Sequence, residues 1–231
     1  MNRNLKRIML DVKEIIDDPL DHIHYSHDEQ NAMKGYACIR GSPGTPYAYG
    51  YYFFEFDFPS NYPFSPPSLK FINYDGCTRF NPNLYINGKV CLSILNTWDG
   101  EKWSACQSIR TVLLTLVTLL NEEPLLNEPG INREHPQFDQ YHLLIEYKNV
   151  EVSILKYLEK TNLPYPFHVF HPILVESFLE NAPLLLDKFK GKSTQFLHMT
   201  LFHNQYVVLN YKNLMDVILL NIQDYRSSNL S

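Results

Sequence analysis

The sequence predicts an α+β fold, a four-stranded antiparallel meander flanked by helices and followed by a mostly helical C-terminal extension. Three observations carry this. Apolar residues recur at helical spacing over residues 4–17. Strand-like runs at 33–40, 49–58 and 69–72 follow a histidine-rich edge, with a proline-rich loop before the last of them. The chain beyond Lys160 holds too many apolar residues for a disordered tail. At 231 residues the chain is long enough to bury a sizeable core.

Leu5, Ile8, Met9, Val12, Ile15 and Ile16 form the apolar stripe of the first helix, which Asp18-Pro19 stops. Its other face carries Arg3, Lys6, Arg7 and Lys13, by themselves a solvated charged face. His22, His24 and His27 alternate with apolar or small residues and have no fourth ligand nearby, so they read as a polar strand edge rather than a metal cluster. Tyr52, Phe54, Phe56 and Phe58 share one face of the second long strand, and Pro63, Pro66 and Pro67 force an extended loop. Phe64 in that loop reads equally as an anchor for a partner or as a core plug.

Asn81-Pro82-Asn83 and Asn87-Gly88 are turn signals that fold the chain back and bring the Asn83 side chain toward Cys91, placing a thiol and an amide donor in one shallow site. A thiolate is a strong nucleophile, and acyl transfer through it develops an oxyanion that an amide N–H can stabilise. Ser104 and Gln107 make a capping-box pattern for a helix with the stripe Ile109, Leu113, Leu116, Val117 and Leu120. Residues 142–158 read as another helix. Pro164 and Pro166 mark a boundary. Beyond it come a helical stretch at 172–180, an apolar run opened by Pro183, two short strands near Phe196 and Val207, and a helix with Leu214, Val217, Ile218, Ile222 and Tyr225.

The formal charge is −5, and the five basic residues after Lys160 are matched by five acidic ones, so no basic excess points to nucleic acid. No uninterrupted apolar span of about 18 residues occurs, and the N-terminus has only a short apolar run before Asp11. The expectation is a soluble, intracellular, cytoplasmic protein to which the nucleus is also open, with no membrane partner. Cys38, Cys77, Cys91 and Cys106 show neither CxxC pairing nor zinc-ligand spacing, so free thiols are expected and no metal.

The stretch 80–95, FNPNLYINGKVCLSIL, resembles the active-site signature of ubiquitin-conjugating enzymes, in which a His-Pro-Asn turn precedes the acceptor cysteine and its asparagine lies eight residues before it. Asn83 and Cys91 keep that spacing of eight, and Asn81 stands where most members have histidine. Gly44-Thr45-Pro46-Tyr47, the run from Phe58 to Pro67 and Trp103-Ser104 resemble the family's other landmarks in order. The wide segment from Trp98 to Trp103 and Asn127-Glu128-Pro129-Gly130 look most like the Z-type branch, which has a C-terminal extension. The resemblance implies a ubiquitin-conjugating core over 1–160 and an extension over 161–231 packed on it.

It further implies that Cys91 accepts ubiquitin or a ubiquitin-like modifier as a thioester from an activating enzyme, in an ATP-dependent pathway, and passes it to a substrate lysine or a ligase. Asn83 would stabilise the oxyanion and Asn81 support the turn. Asn127 or Glu128 would lie near the incoming lysine, although a plain loop role is also open. Lys6 and Arg7 would dock the activating enzyme, and Phe64 with Ser104 a ligase, although Ala105 replaces the proline that usually follows that serine. Trp103 follows Cys91 by twelve residues, more than in compact members, so residues 97–102 should form part of the site wall. The implied protein is a monomer needing no cofactor. A catalytically silent scaffold for ubiquitin or ligases is supported only by Asn81 and opposed by the retained Cys91 and Asn83. A cysteine hydrolase lacks a histidine in the context of a triad partner.

Overall fold

The structure is a computed structural model of the chain that describes residues 3–228. The helix α1 (Arg3–Asp17) buries Ile8 and Ile15, but Met9 and Ile16, expected in the same stripe, face solvent. Asp11 is buried in the space between. Its carboxylate accepts hydrogen bonds from Arg7 Nε at 2.8 Å, from the Tyr62 hydroxyl and from the Ile109 N–H at 3.3 Å. Because Ile109 opens the helix α2 (Ile109–Leu119), a carboxylate on α1 satisfies one of its orphan amides and complements its dipole.

The strands β1 (Ile23–His27), β2 (Lys34–Arg40), β3 (Tyr51–Asp57) and β4 (Ser68–Phe71) pair antiparallel in that spatial order, so the histidine-rich run is an edge. Among the described residues no group of His, Cys, Asp or Glu is arranged to hold a metal. Tyr52, Phe54 and Phe56 of β3 share a covered face as their alternation predicts, and the opposite face is covered too, with Tyr51 and Phe53 as buried. On one face Tyr52 meets the rings of Tyr47 at 5.4 Å and Phe80 at 6.0 Å. On the other Phe53 meets Tyr157 at 5.2 Å and Phe167 at 5.5 Å. A strand covered on both sides loses the polar alternation of a half-exposed one.

The helix α2 starts later than the Ser104–Gln107 pattern predicts. That pair instead closes a turn, with the Ser104 N–H on Gln107 Oε1 at 3.0 Å, and Ser108 with Thr111 stands at the helix start. Val112 and Leu119 join Ile109, Leu113, Leu116 and Leu120 in the core, whereas Val117 is only partly buried. The helix expected over 142–158 is α3 (Phe138–Lys148), which runs on as a π-helix, Asn149–Lys156. The π turn sets Asn149 against the sheet, where it accepts from the Tyr52 hydroxyl at 2.6 Å and donates to Ala48 O at 2.9 Å. Gly50 makes room for this, since a Cβ there would sit 1.7 Å from Asn149 Oδ1.

Beyond residue 160, α4 (His171–Phe189) runs through Pro183 rather than breaking there. A hairpin of β5 (Gln195–Met199) and β6 (Gln205–Leu209) and the helix α5 (Tyr211–Ser228) follow. Glu146 of α3 ties the end of α4 and the residues after it through Lys188 at 2.9 Å and Lys192 at 2.8 Å. Burial raises the Glu146 pKa, but the two ammonium groups outweigh it and hold the carboxyl below its ordinary range. The stretch Tyr165–Phe189 is long and apolar enough by length and composition to cross a membrane, a test that core helices also pass. Here Leu174, Phe178, Ala182, Leu185 and Phe189 are buried within the fold. All four cysteines are free.

Candidate active site

Residues 83–91 form a tight hairpin. Leu84 bridges Val90, the Tyr85 N–H donates to Lys89 O at 2.9 Å, and the Cys91 N–H donates to Asn83 O at 2.9 Å. The hairpin is further closed by the Asn83 side chain, whose Nδ2 donates to Cys91 O at 2.8 Å. Asn83 and Cys91 are thus held face to face, as their spacing predicts.

The two asparagines of the turn differ in how much of their bonding capacity is in use. Asn81 is wholly buried; its Nδ2 donates to the Tyr47 hydroxyl at 3.0 Å and to Leu119 O at 2.7 Å. Its Oδ1 accepts from the Asn83 N–H at 3.0 Å and from Asn127 Nδ2 at 3.4 Å. Both donors and both lone pairs of that amide are therefore occupied. Asn83 makes one side-chain bond, and its Oδ1 is buried without a partner. Burial holds the Tyr47 hydroxyl above the ordinary phenol range, so it stays protonated and donates to Phe80 O at 2.7 Å. Tyr47 explains the early Gly-Thr-Pro-Tyr motif: it props the asparagine turn from 34 residues away.

Cys91 is only 2% exposed, which corrects the expectation of a thiol lying open in a shallow site. The Thr97 hydroxyl clamps both its neighbours, accepting from the Leu92 N–H at 2.9 Å and donating to Val90 O at 3.0 Å. Sequence reasoning placed Thr97 in the loop of the site wall but missed this clamping role. That loop does flank the site, forming with Lys89 and Pro129 a groove of about 650 Å³ that includes Trp98, Asp99 and Lys102. Since alkylation needs an accessible thiol, Cys106, which is exposed, should react with iodoacetamide well before Cys91. Peptide mapping of a time course checks the order, and equal rates would contradict the burial.

Asn127, bonded to Asn81 and to Leu119 O at 3.2 Å, belongs to the framework behind the turn. Glu128 differs: its Oε2 is buried with no hydrogen-bond partner, and the next residue, Pro129, lines the groove beside Thr97. Phe64 is 75% exposed, which excludes the core plug. Ser104 is exposed as well, and Trp103 Nε1 ties the two loops by donating to Pro63 O at 2.7 Å. Lys6 faces solvent, but Arg7 does not form part of a free basic face. Besides Asp11 it binds Ala105 O at 2.8 Å and Gln107 O at 2.6 Å, fastening α1 to the approach to α2.

A profile described as ubiquitin-conjugating enzyme matches residues 7–159. The ubiquitin-conjugating enzyme E2 Z of Danio rerio is 38% identical over 197 residues, covering 84% of this chain and 58% of that protein. That of Homo sapiens is 39% identical over 180 residues, covering 76% and 50%. The chain spans about half the length of the curated relatives it matches. The solved structure of human ubiquitin-conjugating enzyme E2 G1 aligns with a TM-score of 0.46 at 26% identity, over 52% of this chain and 96% of that one. With the profile running from α1 through the asparagine turn and Cys91 to the end of the π-helix, the chain belongs to the ubiquitin-conjugating enzyme family.

Proposed function

We propose that this protein takes the C-terminal carboxyl of ubiquitin or a ubiquitin-like modifier from an activating enzyme as a thioester on Cys91, and transfers it to a substrate lysine or a ligase cysteine. The observation that carries the reading is the reciprocal pairing of Asn83 with Cys91, which fixes an amide with one unused N–H beside the sulfur-bearing residue. In transfer to lysine, the amine nitrogen attacks the thioester carbonyl carbon and its electrons pass to the oxygen, where Asn83 Nδ2–H stabilises the charge. The oxyanion then collapses, a C–N bond stands where the C–S bond was, and Cys91 leaves as thiolate. The proton lost from the amine goes to Glu128, whose Oε2 is free to accept it. Asn81 and Asn127 hold the turn.

Cys91 must become accessible for charging, so the reading includes local opening around the Thr97 clamp. Of Lys6 and Arg7, Lys6 is the one free to meet an activating enzyme, and exposed Phe64 and Ser104 offer a ligase an adjoining surface. Residues 1–160 form the conjugating core in this reading, and residues 161–231 select among activating enzymes or modifiers. The test is a charging panel: the protein with ATP, several activating enzymes and several modifiers, resolved on non-reducing gels. A reductant-sensitive adduct with at least one pair is expected. The silent-scaffold alternative predicts binding without any adduct.

A further inference from the structure

The hairpin that carries Asn83 also floors a second groove, of about 840 Å³, whose lining contains no aspartate or glutamate. Tyr85 and Lys70 belong to the core; Pro164, Phe202 and His203 reach it from beyond residue 159, where the family match ends. Arg79 lies between the two parts. Its guanidinium carbon is 3.8 Å from the Tyr85 ring centroid and 4.2 Å from that of Phe202, and it donates to Pro82 O within the asparagine turn. Two rings hold the guanidinium plane and shield its faces, leaving its edge to meet a carboxylate.

That edge is only partly satisfied among the described residues. Arg79 Nε is buried without a hydrogen-bond partner, as are both ring nitrogens of His203. Neither Lys70 nor Arg79 takes part in an ion pair among the described residues, and Lys89 adds a further ammonium 5.7 Å from the Tyr85 centroid. In a chain of formal charge −5 this is a local reversal of sign. Unpartnered buried polar atoms on Arg79 and His203, beside the half-buried rings of Tyr85 and Phe202 and the exposed Tyr74, describe a surface made for an anionic, partly apolar occupant.

We propose that this groove binds an acidic segment of the protein that receives the modifier, seating an Asp or Glu carboxylate on Arg79 and Lys70 and a neighbouring apolar side chain against the exposed Tyr74 and Pro164. The inference rests on Cys91 being the point of transfer. Position favours the substrate as occupant, because the groove is built on the hairpin that ends at Cys91. The surface of Arg3, Arg7, Tyr62 and Phe64 is a separate groove, so a ligase or activating enzyme seated there leaves this one open.

The test uses the full chain and two fluorescent lysine peptides that differ only in Asp/Glu against Asn/Gln beside a phenylalanine. At low salt the acidic peptide should bind about tenfold more tightly, with the gap narrowing as salt is raised. Lys70→Glu, an exposed change, should abolish the gap and Lys70→Arg keep it. After charging, the acidic peptide should discharge the wild type about tenfold faster than the neutral one, and Lys70→Glu should equalise them without altering discharge to free lysine. Equal binding of both peptides by the wild type overturns the proposal, as does equally tight binding of a single-stranded oligonucleotide. Peptide discrimination by a protein that no activating enzyme charges would sink the conjugation reading and leave the groove standing.

Discussion

Asn83→Ala is expected to slow single-turnover discharge of the Cys91 thioester to lysine by about 10²–10³, equivalent to about 2.7–4 kcal/mol, while leaving charging largely intact. The expectation follows from where the amide points its capacity: one N–H holds Cys91 O at 2.8 Å and the other has no partner among the described residues. In the proposed reaction, charging would draw on the activating enzyme's own chemistry, whereas attack by an amine would rely on this protein to stabilise the oxyanion. A purely structural asparagine would give a different pattern, with loss of discharge in proportion to loss of folding. Discharge rate and thermal midpoint measured on one preparation separate the two. An alanine variant that discharges normally would remove Asn83 from the chemistry.

Asn81→Ala should act on stability instead, by about 2–4 kcal/mol, or a fall of roughly 5–12 °C in thermal midpoint for a chain of this size. The side chain is fully buried and serves four partners. Leu119 O keeps a bond from Asn127 at 3.2 Å, but the Asn83 N–H loses its acceptor in a site closed to water. Discharge by the fraction that remains folded should stay within about tenfold of wild type, less than the loss of an oxyanion donor would give. Asn81→His, the family's more common residue, should recover only part of the stability, since a neutral imidazole offers one donor and one acceptor to four partners. Thermal melts of the three proteins check the order, and an alanine variant as stable as wild type would contradict it.

The sequence made the meander, the edge position of the histidine run and the Asn83–Cys91 pairing legible, because each is a local matter of periodicity or turn chemistry. What it concealed depends on partners far along the chain. Arg7 looked like one of several surface cations, and nothing near it announces carbonyl oxygens 98 and 100 residues away. Asn81 reads as a turn residue, yet its bonds to Tyr47, Leu119 and Asn127 span 34, 38 and 46 positions. Tyr51 and Phe53 were assigned no covered face, since the side chains that cover Phe53, from Tyr157 and Phe167, lie a hundred residues later or more. The stretch at 172–180 and the apolar run opened by Pro183 form one helix, because burial of Ala182, Leu185 and Phe189 around Pro183 outweighs one lost helical bond. Cys91 is the instructive case: its place in the chain was readable, its burial was not.

The most direct test of thioester chemistry at Cys91 is the nature of the bond the protein forms with a modifier. Wild type should form an adduct that thiol reductant cleaves, Cys91→Ser a slower adduct that reductant leaves intact and mild alkali cleaves, and Cys91→Ala none, as read by intact mass and peptide mapping. A reductant-sensitive adduct that persists in Cys91→Ala and maps to Cys38, Cys77 or Cys106 would contradict it.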